Sequence, residues 1–176
     1  MKQDELLARH HEVLKRLSWL PRKMIAVHGQ DNVTEFVLHE LCDAQCFNLD
    51  RAAFIVDNAD FNCLKGVTGI SRSEAMKEPN IWQASDRFSA HMQKSAFNQK
   101  VRGINRSSLK KDVSAQKDVI AMLAYDLGFK NHNFCSWDLK HANQGYLVFE
   151  KVDNDDVVND EHLLNGLSLL SHCPIF

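Results

Sequence analysis

Turn-forming residues are scarce in this chain: 7 glycines and 3 prolines among 176 residues. Few tight turns can be built from so few, so long elements are expected. No apolar run approaches the roughly 20 residues that a membrane span needs. The opening stretch, MKQDELLARHH, is charged at once and has no apolar signal core. The expected location is therefore the cytoplasm. The five cysteines include no C-x-x-C pair, which removes the common zinc-ribbon and thioredoxin spacings. Free thiols are what a reducing compartment predicts.

A dominant charge is lacking too. The formal net charge is −2, so the molecule as a whole is no obvious polyanion binder. Also missing are the glycine-rich dinucleotide and Walker fingerprints, G-x-S-x-G, H-E-x-x-H and an aspartate-rich calcium loop. No cofactor is implied by any local pattern. These absences leave open whether the chain is an enzyme, because active sites are assembled across a fold. Nine histidines are present, but no spacing singles out an acid–base pair. His10, His11, His132 and His141 stand beside polar residues and are expected at the surface.

What is present is a normal globular composition, 44% hydrophobic and 25% charged. A single domain over 1–176 is expected. Residues 4–20 space Leu6, Leu7, Val13, Leu14, Leu17 and Leu20 as one helix, with Pro21 as its expected end. PRKMIAVHG then predicts a short separate helix. Asp31 or Asn32 can cap a helix running to about Cys46. RAAFIVDNADFNCLKGV predicts two short strands. One helix is expected from about residue 80 or 85 to Arg102, stopped by Gly103. Another should start near Ser108 and end at Gly128. NHNFCSWDLK and QGYLVFEKV form the clearest hairpin, with Cys135, Trp137 and Leu139 on one strand face. An acidic run, DNDDVVNDE, precedes a last helix. The predicted fold class is α+β: mostly helical, with a small antiparallel sheet covered by helices.

Three stretches could carry function. In HELCDAQC, residues 39–46, His39, Cys42 and Cys46 fall with Glu35 opposite the main apolar face of a helix. Cys42 and Cys46 are close enough in sequence to share a metal, with Cys63 as a distant further ligand. However, His39 and Cys46 are seven residues apart, about 10 Å along a helix axis. Packing of a helix buried on two sides is therefore the preferred reading, with no metal.

The second stretch is CLKGVTGISRSE. Read as a strand, a glycine loop and a helix start, it offers backbone N–H groups to an anion. Ser71 and Glu74 have capping-box spacing. Lys65, Gly66, Gly69, Ser71 and Arg72 are the expected ligand contacts, with Asp57 and Asp60 just upstream. The third is a run of cations without acids: Lys94, Lys100, Arg102, Arg106, Lys110 and Lys111. It would attract nucleic acid or a phosphorylated ligand. Its aromatic neighbours Trp82, Phe88 and Phe97 are expected in the core. Together these predict a binding or regulatory protein for a small anionic ligand or a protein partner. The alternative is a small enzyme whose anionic substrate is held by residues 66–73.

Overall fold

The computed structural model describes residues 3–27, 29–30, 32–109, 113–152 and 160–173. Asp31, Lys110, Lys111 and the acidic run over 153–159 lie outside them. The element order is α1 (Gln3–Ala26), α2 (Val33–Cys42), β1 (Leu49–Asn58), β2 (Cys63–Ser71), α3 (Ser85–Lys94), α4 (Ala96–Arg102), β3 (Asn105–Arg106), α5 (Val113–Leu127), β4 (Asn133–Asp138), β5 (Gln144–Lys151) and α6 (Asp160–Ser168). The five strands make one antiparallel sheet in the order β3-β2-β1-β5-β4. The fold class is α+β, as the sequence predicts.

Helices cover both faces of the sheet. Side chains alternate along a strand, and the core divides accordingly. Ala52, Phe54 and Val56 of β1 join Ile70, Leu147 and Phe149 in a cluster with α1, α2, α3 and α6. Ala53 and Ile55 join Leu64, Tyr146 and Val148 in a second cluster with α4 and α5. A strand buried on both faces needs apolar residues at every position, which is what AAFIV supplies. The β4–β5 hairpin forms as expected, and Cys135, Trp137 and Leu139 all pack on the first cluster. Leu139 is buried, whereas Cys135 and Trp137 are half-buried. Gly128 ends α5 with a left-handed φ of 83°.

Several boundaries differ from expectation. Helix α1 continues through Pro21 to Ala26. The proline forfeits one backbone hydrogen bond, but Leu20 and Val27 on either side of it are buried in the same core. That packing outweighs the local penalty. Helix α2 stops at Cys42, so Cys46 sits in the following turn. Asn32 is the N-cap residue of α2, yet its side chain makes no cap bond. It donates to Glu35 Oε2 instead (2.8 Å). The helix expected from 80 or 85 to 102 is two helices, broken at Ser95. There Ser95 Oγ accepts from Asn98 N (3.1 Å), while Glu74 Oε2 accepts from Ser95 Oγ (2.6 Å) and Phe97 N (3.2 Å). Satisfying the N-terminal amides of α4 in this way favours a fresh start over continuation.

The glycine stretch is also different. Residues 63–71 are strand throughout, and the expected loop before a helix is absent. Phe54 pairs with Thr68 and Ile55 with Gly66, so Val67 is the extra residue of a bulge. Residues three apart normally face opposite sides of a strand. The bulge turns both Gly66 and Gly69 toward α4. A Cβ on Gly66 would lie 1.8 Å from the Val101 carbonyl oxygen, and one on Gly69 would lie 2.5 Å from Val101 Cγ2. These glycines serve the close approach of α4 to the sheet.

Candidate functional site

Three adjoining cavities meet at His39, on the face of the sheet covered by α1 and α2. The largest, about 350 Å³, lies between α1, α2 and the 78–82 segment, with Trp19, Lys23, Glu40 and Trp82 in its walls. The second, about 230 Å³, is lined by the apolar Leu49, Ile70 and Met76 and by the polar His39, Arg72, Asp43 and Glu78. A narrow space of about 10 Å³ links His39 to Ser71 and His91.

Position on α2 explains why His39 stands there. Val33 to Leu38 and Glu40 to Cys42 are all buried, and His39 alone in the helix is half-buried. Its ring meets the Phe88 ring edge-on at 5.2 Å between centroids. Burial pushes its pKa below the ordinary imidazole value, against the opposing pull of Glu40 and Asp43. His39 therefore stays neutral at pH 7, able both to donate and to accept a hydrogen bond.

Glu40 ties the walls together. It accepts from Lys23 Nζ (2.9 Å), Arg16 Nη1 (3.3 Å) and Trp82 Nε1 (2.8 Å). Burial works to raise its carboxyl pKa, but the bonds from Lys23 and Trp82 and the nearby cations win, and the net shift is downward. Arg16 also pairs with Glu12 and Asp43 and donates to Gln45. Lys15 pairs with Glu12. The cations of the larger cavity are thus already engaged. Arg72 differs. Its Nη2 donates to Asn48 Oδ1 (2.6 Å), and among the described residues it has no carboxylate partner.

The expected ligand contacts are not brought together. Lys65 and Arg72 are seven residues apart in the chain, with most of β2 between them, roughly 20 Å at 3.3 Å per residue. Gly66 and Gly69 lie beneath α4. Ser71 is buried, and its hydroxyl meets that of Ser73 (2.9 Å), so the capping-box geometry expected with Glu74 is absent. Of the five, Gly69, Ser71 and Arg72 border the cavities. Asp57 is fully buried and accepts from Leu109 N (2.9 Å), while Asp60 is exposed at the β1–β2 turn.

The two cysteines of the HELCDAQC stretch lie in the core. Cys42 and Cys46 are buried in the same core cluster as Cys173, and all five cysteines are free. Burial drives the Cys42 thiol pKa far up and that of Cys46 to about 12. Glu35 accepts from Asn98 Nδ2 (2.8 Å), Asn32 Nδ2 (2.8 Å) and Arg102 Nη1 (3.4 Å). Among the described residues no group of three or more His, Cys, Asp or Glu is placed to hold a metal ion.

The basic run is spread over three elements. Arg102 on α4 pairs with Glu35, and Arg106 on β3 pairs with Asp126 (2.8 Å). Lys94 and Lys100 are exposed. Phe88 and Phe97 are buried as expected, and Trp82 is half-buried in the cleft. No family model matches the chain, and neither does any curated protein or solved structure.

Sequence reasoning missed the cleft because its walls come from residues 12–23, 39–49 and 70–82. No local spacing joins three such segments. The sequence offers one signal, an arginine at the end of a strand-like run, CLKGVTGISR.

Proposed function

We propose that the chain is a binding module for a small amphipathic anion held in the cleft at His39. The apolar part lies over Leu49, Ile70 and Met76, and the anionic group meets Arg72. One observation carries this reading: Arg72 is the cleft cation that has no carboxylate partner among the described residues. A guanidinium that has no carboxylate partner among the described residues and stands beside apolar side chains suits a carboxylate or phosphate on an apolar body, and Asp43 and Glu78 in the same lining disfavour a second anionic group. The adjoining cavity past His39 gives room for a longer ligand, with Trp19 and Trp82 as flat apolar surfaces. The cytoplasmic location expected from the sequence belongs to this proposal. No helix among the described residues is long and apolar enough to cross a membrane.

The test uses octanoate and inorganic phosphate as probes, followed by thermal unfolding and tryptophan fluorescence. Octanoate should raise the unfolding temperature in the parent, and phosphate alone should do so less. Arg72→Ala should abolish the octanoate effect without unfolding the protein, since an exposed cation contributes little stability. Binding should weaken as salt rises. Octanoate acting equally on parent and Arg72→Ala refutes the assignment. If Lys94→Ala with Lys100→Ala removes binding instead, the basic run is the anion site.

The enzyme reading keeps one supporting observation, the neutral, half-buried His39 at the junction of the cavities. It predicts turnover of a chromogenic ester or phosphate by the parent and none by His39→Gln.

A further inference from the structure

Helix α1 carries exposed apolar residues along one face, uncovered among the described residues. Leu7 is 69% exposed, Leu14 48% and Ile25 74%. At 100° per residue these three fall within about 20° of one another on the helix surface. The buried positions Val13 and Leu20 are roughly 120° away, facing the core. Trp19, also exposed, lies to the other side and lines the cleft. The outward stripe is therefore separate from both the core face and the ligand face. His11 and Ser18 lie between them on the same face, and together these side chains offer a partner helix an apolar row with polar gaps.

The charges along α1 indicate what covers the stripe. The N-terminal turn is acidic, with Asp4 and Glu5, and the C-terminal end carries Arg22 and Lys23. Asp4 and Arg22 both lie about 60° to the same side of the stripe. In an antiparallel pair related by a two-fold axis, like flanks face each other and the ends are exchanged. Asp4 of one copy then comes to the flank where Arg22 of the other stands, and the contact repeats symmetrically. In a parallel pair opposite flanks meet, so Asp4 and Arg22 would face the uncharged flank of Leu6, Leu17, Pro21 and Met24 and find no charge partner. Lys15 lies on the same flank near the middle, where Glu12 of its own helix pairs with it (3.7 Å). The opposed helix dipoles also favour the antiparallel arrangement.

We infer that the chain forms an antiparallel homodimer through α1, with Leu14 near the two-fold axis and Leu7 of each copy beside Pro21 and Ile25 of the other. The dimer surface is the outward stripe, and the cleft at His39 remains open on the neighbouring face of the same helix.

Sedimentation equilibrium over a range of protein concentrations tests this, with the full chain. The parent should dimerise. Leu14→Glu places two like charges at the axis and should weaken the dimer roughly a hundredfold or more. Ile25→Glu should weaken it as well, which guards against a fault peculiar to one variant. Both positions are exposed, so circular dichroism should be unchanged. Asp4→Lys and Arg22→Asp should each weaken the dimer by roughly three- to tenfold, and the double variant Asp4→Lys/Arg22→Asp should recover most of the loss. A parent that stays monomeric at all concentrations overturns the proposal. So does a dimer indifferent to Leu14→Glu and Ile25→Glu. Failure of the double variant to recover overturns the antiparallel arrangement.

Discussion

Asn98 is the position where a small change should do most harm. Its side chain is fully buried and makes four hydrogen bonds. Oδ1 accepts from Thr68 Oγ1 (3.1 Å) and Gly69 N (2.9 Å), and Nδ2 donates to Glu35 Oε1 (2.8 Å) and the Met92 carbonyl (3.0 Å). Both donors and both lone pairs of the amide are used. Asn98→Ala leaves the Gly69 N–H and the Met92 carbonyl without partners and takes one donor from a buried carboxylate. The Thr68 hydroxyl can rotate, so it adds little. Each stranded group costs about 1–3 kcal/mol, and the total is about 3–6 kcal/mol. A domain of this size is stable by about 5–15 kcal/mol, so the variant should unfold at much lower urea. Asn98→Asp sharpens the test, because it keeps the shape and the Oδ1 contacts but sets a second carboxylate against Glu35. One carboxyl of that pair must then have a folded pKa above its unfolded value. Its ionisation destabilises the fold at pH 7, and the loss is relieved as pH falls through the folded pKa. Urea unfolding followed by tryptophan fluorescence at two pH values reads both effects. A loss under about 1 kcal/mol for Asn98→Ala, or no relief at low pH for Asn98→Asp, refutes the network as the tie between α2, α4 and β2.

Gly66→Ala should lower stability by roughly 3 kcal/mol or more, because the new Cβ meets backbone, the Val101 carbonyl, and no side chain can swing aside. An unchanged urea midpoint would show that α4 does not sit there. Trp137→Ala should cost about 2–4 kcal/mol, somewhat less than a fully buried tryptophan. The ring stacks on Phe54 (5.5 Å between centroids, 12° between planes), and its Nε1 donates to Ser171 Oγ (3.0 Å). The same unfolding curves decide it. His39 has a folded pKa below its unfolded value of about 6.5. The unfolded chain therefore takes up the proton first, and stability falls as pH drops below about 6.5. His39→Gln should flatten that part of the stability–pH curve, and identical curves for parent and variant would remove His39 as the cause.

The elements legible in the sequence are those whose local pattern and tertiary role agree. The β4–β5 hairpin and α5 have clear periodicity and no competing signal. The errors fall where packing overrode a local rule. Pro21 reads as a stop, yet Leu20 and Val27 hold α1 to the core on both sides of it. Gly66 and Gly69 read as a loop, because a glycine that lets a helix approach and a glycine that turns the chain look alike in one sequence. Their setting in a run of strand residues, CLKGVTGIS, was the available hint of close approach. Ser95 reads as an ordinary helical residue, because its capping partner Glu74 lies 21 positions away. The cleft is still less legible, since the packing of α2 on β2 brings Arg72 near His39 and Cys42, which no local spacing announces.

Helix α1 joins the two proposals physically. Its core face holds Val13 and Leu20, its cleft face holds Arg16 and Lys23, and its outward face holds Leu7, Leu14 and Ile25. A 24-residue helix is a rod of about 36 Å, so a turn of the rod that opens the cleft also re-aims the stripe. Glu40 resists that turn through its bonds to Arg16 and Lys23. Arg16 also holds Asp43 and Gln45, so a coupling between ligand and dimer runs through all of these contacts of α1. With the cleft the same in monomer and dimer, the ligand shifts neither. With any of the contacts altered by dimerisation so that affinity changes, the ligand must change the dimer constant by the factor by which dimerisation changes its own affinity.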